Sequence, residues 1–355
     1  MRGIGITAYS KPDGYQLRDF ETPTVTSPND VLIQVRAASI NPVDVKKAAG
    51  MLKMAMRDEF PYKLGYDCSG VVTQVGSEVT RVKVGDEVYV RIPESDRGSW
   101  CEYAKCSEDF VALKPASMSF RDAAALPLAA MTCLQALRRY EGDLAGKTVF
   151  IPAGLSGTGS YGCQIAKHIF KAGRVITTVS SSKVPRVEEL LGAGVVDEII
   201  DYTKSDPQKV IPRGSVDFIL DTVGGAMPYL SLLRPGSGKV VSISTTPSGD
   251  QMQSSSVMRR PGSSGLPGPI RFALNALDSI RRYRARRWKV SYEYMFLEPT
   301  GQDLEILGQA VEQGQLRSVV GTEATFTDVE AVRMAAQMVY SGKGGVGKAV
   351  ILFQY

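Results

Sequence analysis

KTVFIPAGLSGTGSYGCQIAKHIFKAG, residues 147–173, is the stretch on which the fold turns. Its first part, KTVFI, is a β-branched and aromatic run of strand length. A glycine-rich turn, PAGLSGTGSYG, follows from Pro152 to Gly162, and after it YGCQIAKHIFKAG has the composition and spacing of a helix. Within the turn, Gly157-Thr158-Gly159-Ser160-Tyr161-Gly162 spells G-x-G-x-x-G. The pattern alone is weak. Placed between a strand and a helix it predicts a dinucleotide site, because glycines let backbone approach a pyrophosphate and the helix N-terminus supplies N–H donors.

Downstream, the same rhythm repeats. RVITTVS reads as a strand, KVPRVEELLGAG as a helix, and VDEIIDY, VDFILD and KVVSIS as further buried strands. Strands alternating with helices predict an α/β fold, a Rossmann-type doubly wound parallel sheet. The second strand bears on which dinucleotide binds. An NAD site places Asp or Glu about 20 residues on, against the ribose 2′-hydroxyl. Here TTVSSSK, residues 177–183, carries no carboxylate but offers Ser181, Ser182 and Lys183, hydroxyl donors and a cation suited to a 2′-phosphate. NADPH is the expected cofactor.

Upstream, residues 1 to about 115 read as short strands separated by turns. VLIQVRAASI, CSGVVTQVG, DEVYVRI and WCEYAKC are strand candidates, and Pro-Asp-Gly at 12–14 and Gly-Asp at 85–86 are turn signals. RDAAALPLAAMTCLQALRRY is helical in composition. Residues 247–289 interrupt the α/β rhythm. PSGDQMQSSSVMRRPGSSGLPGPI is rich in Ser, Gly and Pro and reads as a loop; RFALNALDSIRRYRARRWK reads as a basic helix. That helix, 271–289, is either a solvated face or a surface for a membrane or a partner.

A second glycine-rich stretch, SGKGGVGKAV at 341–350, is one residue short of a nucleotide-binding P-loop. A P-loop needs a strand before it and a helix after it. The order here is reversed: a helix with Asp328 as N-cap and Gly342 as its terminating glycine precedes it, and AVILFQY follows as a strand. Ala349 also replaces the hydroxyl that holds Mg²⁺. The stretch reads as a helix-to-strand turn, not an ATPase.

Bulk composition narrows the function classes. The chain of 355 residues is long enough for about two domains, with 43% hydrophobic and 22% charged residues. A net charge of +5 fits an anionic small ligand as well as a weak preference for nucleic acid and so decides nothing; no nucleic-acid partner is expected. Five cysteines without a CxxC pair argue for a reducing compartment, and no apolar leader or 20-residue span is found, so a cytoplasmic protein is expected. One histidine, His168, leaves little for zinc chemistry or a Ser-His-Asp triad.

SINPVDVKKAAG (39–50), LGYDCSGVVTQVGSEVTRVKVGDEVY (64–89) and the closing GKAVILF resemble motifs of the medium-chain dehydrogenase/reductase superfamily. The chain is most similar to its zinc-independent quinone oxidoreductase and enoyl reductase branch, which includes ζ-crystallin, and the 247–289 insertion resembles one in fungal members. The resemblance covers nearly the whole chain. It implies a β-rich GroES-like catalytic domain, residues 1–119 and 297–355, around a Rossmann NADPH domain, 120–296. The branch has A-x-x-G-x-x-G at the pyrophosphate turn; here Ala153, Ser156 and Gly159 take those places, so a serine replaces the middle glycine. Asn41 matches the position of a cysteine ligand in zinc-dependent members and Tyr66 that of a histidine, so no metal is expected.

What the resemblance implies is hydride transfer to an activated C=C of an enone, enal, enoyl thioester or quinone, with polyketide or other secondary-metabolite intermediates among the candidates. The alternative is an NADPH-binding structural or membrane-associated protein with little turnover. Cofactor contacts are expected from Ser156, Gly157, Thr158, Gly159, Ser181, Ser182, Lys183, Tyr202, Thr222, Val223, Ser244, Thr245 and Lys348. Catalytic roles fall to Tyr62 or Tyr66 as donor to a developing enolate, and to Asn41 beside them. The partner is a small-molecule substrate, and a homodimer or monomer is expected.

Overall fold

The computed structural model describes residues 1–54, 58–258, 265–343 and 345–354. The N-terminal part is built on strands β1 (Arg2–Ile6), β2 (Gln16–Asp19), β3 (Asp30–Ile40), β4 (Tyr62–Lys63), β5 (Asp67–Val75), β6 (Glu87–Arg91), β7 (Tyr103–Ser107) and β8 (Val111–Leu113). β2, β1 and β4 form a small antiparallel sheet. β3 is the organising strand. β5 lies along one edge, while its other edge is shared: β7 pairs with residues 30–34. Register shifts at Leu32/Ile33 and Val35/Ala37 bend the β3–β5 ladder, the usual effect of a bulge in a curved sheet.

The start of β3 is held by its first side chain. The Asp30 carboxylate accepts from the Thr26 and Ser27 backbone N–H groups at 2.9 and 2.8 Å and pairs with Lys105 at 2.9 Å. Burial alone would raise its pKa; the Lys105 bond and the two N–H donors outweigh that and lower it to about 2. Because the folded value lies below the unfolded one, the stabilisation is present above about pH 4 and lost as pH falls towards 2. It amounts to about 2 kcal/mol. Asp30→Asn is therefore expected to lose about that much at neutral pH and little near pH 2, read as urea midpoints across pH.

The second sheet comprises β9 (Thr148–Ile151), β10 (Arg174–Val179), β11 (Glu198–Asp201), β12 (Phe218–Asp221), β13 (Lys239–Ser242) and β14 (Ser291–Tyr294), all parallel, in the order β11-β10-β9-β12-β13-β14. The direction of winding reverses between β9 and β12, so the crevice at their carboxyl ends is the place where ligands bind in such sheets. The helical stretch before it is two helices, Phe120–Ala125 and Pro127–Leu137, with Pro127 opening the second, where its missing N–H costs nothing.

β15 (Val320–Thr325) and β16 (Lys348–Leu352) return the chain to the first sheet, where β16 pairs antiparallel with residues 37–40 of β3. The helix Val329–Ser341 precedes β16, capped by Asp328 at Ala331 N (3.0 Å) and ended by Gly342 in the left-handed region at φ 66°. The P-loop-like stretch thus lies in a helix-to-strand turn, as read. No helix among the described residues is long and apolar enough to cross a membrane.

One reading is corrected. The segment from 247 is not all loop: Gly249–Ser254 is a helix, started by a capping box in which Ser248 Oγ accepts from Gln251 N at 3.1 Å and the Gln251 side chain takes the Ser248 N–H. Residues 259–264 of that segment lie outside the described residues. The basic stretch forms the 20-residue helix Gly268–Arg287, and KVSYEYMF supplies β14.

Candidate active site

The turn after β9 opens into the crevice. Ala153 takes a left-handed conformation (φ 58°), and its carbonyl accepts from Ser156 N at 2.9 Å. Ser156 Oγ in turn accepts from Gly159 N at 2.9 Å, so the serine standing in for the middle glycine caps the first residue of the helix Gly159–His168. A Cβ at Gly159 would come within 2.1 Å of the Ala153 oxygen. The chain is folded against itself there, and only glycine fits. Thr158 stands at the helix start, with its carbonyl held by Cys133 Sγ at 3.2 Å.

The turn does not stand alone. Ser156 bridges Gly347, whose N–H donates to Leu155 O at 2.8 Å, and a Cβ on Gly157 would meet Lys348 Cδ at 3.0 Å. The P-loop-like stretch therefore packs beside the glycine turn that it mimics.

At the carboxyl end of β10, Lys183 Nζ donates to Gly345 O at 2.6 Å. Ser181 Oγ donates to Asp201 Oδ2 at 2.5 Å and lies 2.8 Å from Thr203 Oγ1. Ser182 and Tyr202 are exposed. Asp201 was missed by sequence reasoning. It ends β11, paired in register with Val179, so a neighbouring strand brings a carboxylate to a place where β10 itself has none. Bonds from Ser181 and then Thr203 lower its pKa to about 2, so it is ionised at neutral pH.

Across the crevice, the ends of β12 and β13 are tied together. Asp221 accepts from Gly224 N (2.8 Å), Gly225 N (3.0 Å) and Ser242 Oγ (2.9 Å). Thr222 Oγ1 donates to Pro152 O at 2.9 Å, and Ser244 Oγ donates to Thr222 O at 2.6 Å. Thr245 Oγ1 is 2.6 Å from the Tyr292 hydroxyl, and Val223 is exposed. The structure thus gathers Thr222, Val223, Ser244 and Thr245 at the crevice, with Thr222 tethered to the glycine turn.

Asn41 and Lys348 meet in a buried polar network. Lys348 Nζ donates to Asn41 Oδ1, and Asn41 Nδ2 donates to Asp67 Oδ2 at 2.9 Å. Ser39 Oγ and Leu128 N also donate to Asp67, at 3.0 and 3.2 Å, and Asn41 N donates to Asp44 Oδ2 at 2.6 Å. Asn41, Asp44, Asp67 and Lys348 are all at most 5% exposed. Burial pushes the Asp44 and Asp67 carboxyls up and the Lys348 ammonium down. Lys348, expected at the cofactor, thus lies buried under the turn with its Nζ directed to Asn41.

Tyr62 and Tyr66 sit in a second buried cluster, around Lys47 in the helix Pro42–Ala48. Tyr66 donates its hydroxyl to Glu94 Oε2 at 2.5 Å; Lys47 pairs with Glu94 and, at 3.6 Å, with Asp58. The Arg97 guanidinium lies 3.8 Å from the Tyr62 ring centroid. Burial raises both phenols above their ordinary pKa. A phenol held so, with its proton committed to Glu94, is a weak acid towards any other acceptor. Cys68, Cys101, Cys106, Cys133 and Cys163 are buried thiols, raised by desolvation. Among the described residues no three His, Cys, Asp or Glu side chains converge so as to hold a metal ion.

Residues 27–116 match the family described as "Alcohol dehydrogenase GroES-like domain", and residues 195–351 the one described as "Zinc-binding dehydrogenase". The chain is 39% identical over 229 residues to the NADPH-dependent alkenal/one oxidoreductase, chloroplastic, of Arabidopsis thaliana. That match covers 62% of this chain and only 57% of the plant protein. It is 30% identical over 330 residues to the mitochondrial NAD(P)H oxidoreductase RTN4IP1 of Mus musculus, covering 86% of this chain and 78% of the mouse protein. A solved structure of the quinone oxidoreductase from Coxiella burnetii superposes with a TM-score of 0.80 at 27% identity, over 100% of this chain and 99% of that one.

Proposed function

The chain belongs to the medium-chain dehydrogenase/reductase superfamily, and from that premise we propose that it is an NADPH-dependent oxidoreductase acting on an activated C=C. The observation that carries the reading is the glycine turn at the switch point of the parallel sheet, cradled so tightly that a Cβ at Gly159 has no room. The plant relative's name supports both the cofactor and the substrate class, an enal or enone. Enoyl thioesters and quinones, and polyketide or other secondary-metabolite intermediates bearing such a group, belong to the proposed range.

The residues fit the cofactor. The helix N-terminus at Ser156, Gly157, Thr158 and Gly159 holds the pyrophosphate. Ser181, Ser182, Lys183 and Tyr202 would hold the adenosine phosphate, with Lys183 supplying the positive charge. Thr222, Val223, Ser244 and Thr245 line the nicotinamide end. When bound, NADPH supplies the hydride. Asn41, held at both ends of its amide by Asp67 and Lys348, positions the reacting end of the crevice. With Tyr66 committed to Glu94 and Tyr62 buried in the same cluster, its phenol raised by burial, the proton for the enolate is assigned to water.

In this reading the reaction is zinc-independent, since the carboxamide at Asn41 is a poor zinc donor compared with thiolate or imidazole. We take residues 1–119 with 297–355 as the catalytic domain and 120–296 as the cofactor domain. We place the protein in the cytoplasm as a homodimer or monomer; the plant and mouse relatives carry the names of other compartments, so cell fractionation is the check.

The test is NADPH oxidation against enals, enones, enoyl thioesters and quinones, with NADH in parallel. Lys183→Ala is expected to lower kcat/KM with NADPH by about tenfold or more, the worth of one charge-assisted contact, and to leave NADH turnover nearly unchanged. Asp201→Asn removes a carboxylate beside the phosphate site and releases Ser181, so it is expected to raise the NADPH-to-NADH ratio by about tenfold. Tight NADPH binding without turnover on any compound would instead favour the non-catalytic binder.

A further inference from the structure

We propose that the outward face of the helix Gly268–Arg287 docks the protein peripherally on an anionic lipid bilayer. The inner face of this helix is marked by its buried residues, Asp278 and Ala285. On the outer side Phe272 is 76% exposed, Ile280 56%, Tyr283 63% and Leu277 47%, with Trp288 just beyond at 45%. Phe272, Ala276, Ile280, Tyr283 and Arg287 recur at three and four positions, so they lie along one side of the helix. Scattered exposed hydrophobics are normal on any protein. Here five of the fifteen large ones exposed among the described residues belong to one 20-residue helix and the residue after it.

The charges divide in the same way. Cations turned towards the body of the protein are satisfied there: Arg271 pairs with Asp250, Arg282 with Asp278 at 2.6 Å, and Arg281 donates to Thr246 O at 2.7 Å. Arg284, Arg286, Arg287 and Lys289 have no ion pair or side-chain hydrogen bond among the described residues. They cluster at the end of the helix beside Tyr283 and Trp288. The sole acid of the helix, Asp278, is buried on the other side.

An apolar ridge about 24 Å long from Phe272 to Trp288, edged by unpaired arginines, matches the boundary of an anionic membrane. Phenylalanine, isoleucine and leucine enter among the upper acyl carbons, tyrosine and tryptophan sit at the headgroups, and guanidinium groups on long stems meet lipid phosphate. A second copy fits worse, since two such faces would oppose eight unpaired cations with no acid between them. The proposal stands independently of the reductase reading.

The experiment is co-sedimentation of the full chain with vesicles of phosphatidylcholine alone or mixed equally with phosphatidylserine, at low and high salt. Binding is expected with the mixed vesicles only, and reversed by salt. Arg284→Gln/Arg286→Gln/Arg287→Gln is expected to weaken it roughly a hundredfold; Phe272→Ser/Ile280→Ser should weaken it as well. All five positions are exposed, so thermal midpoints and NADPH oxidation should stay as in the parent. Lipid bearing bromine on its upper acyl carbons should quench Trp288 but not Trp100, which is fully buried. No binding to mixed vesicles at low salt overturns the proposal. So does a dimer that Phe272→Ser/Ile280→Ser dissociates, or retention of the chain by an acidic peptide but not by lipid.

Discussion

Lys348→Met is expected to lower stability by about 3–5 kcal/mol, the largest single loss anticipated for this protein. The lysine is buried with its ammonium on Asn41 Oδ1 and its charge facing Asp67 and Asp44. Methionine fills a similar volume, so little of the loss comes from a cavity. The loss comes from two buried carboxyls left with Arg91 as their remaining nearby cation, one of which, Asp44, already has an unpartnered Oδ1 among the described residues. Burial raises the pKa of both, so acid relieves the variant by protonating them. The urea midpoint difference between parent and variant should therefore be large at pH 8 and shrink towards pH 5. A difference under about 1 kcal/mol at both values would mean that the lysine is uncharged in the parent. Turnover should vanish with it, since Asn41 loses the group that fixes its oxygen.

Gly159→Val should abolish cofactor binding and cost about 1–3 kcal/mol of stability. Its Cβ would lie 2.1 Å from the Ala153 oxygen and 2.9 Å from Ser156 Oγ, so either the turn or the first helical residue must move. Both outcomes displace the N–H groups proposed to face the pyrophosphate. Gly157→Ala is the matched control. Its Cβ would meet Lys348 Cδ at 3.0 Å and Gly347 O at 3.3 Å, so its neighbours need give by only a few tenths of an ångström and it should lose far less NADPH affinity than Gly159→Val. Fluorescence titration with NADPH separates the two. Equal affinities for Gly159→Val and the parent would remove the turn from the cofactor site.

The fold was legible where chemistry repeats along the chain. The strand and helix periods of 148–242 gave the parallel sheet, and the flanks of 341–350 exposed the false P-loop. What could not be read depends on neighbours across space. Asp201 joins Ser181 only because two strands pair in register, and no spacing along the sequence encodes that. Lys348 looks like any lysine beside a glycine turn until β16 is laid against β3. Tyr62 and Tyr66 carry the right functional group, but Glu94 takes the Tyr66 hydroxyl and Arg97 covers the Tyr62 ring. The helix Gly249–Ser254 was readable. Its signal, Ser248 followed three residues later by Gln251, was masked by the surrounding Ser, Gly and Pro.

The pairing of β16 with β3 has a consequence for synthesis. During translation β15 and β16, which complete the first sheet, emerge long after β3 to β8 have left the ribosome. The parallel sheet between them is continuous in sequence and is free to fold as soon as it appears. Until β16 arrives, residues 37–40 of β3 offer a bare edge, the kind of surface that invites pairing with another chain. Chaperone demand should therefore be set by the wait for β16, and a ribosome stalled before Lys348 should hold a folded middle and an unfinished beginning.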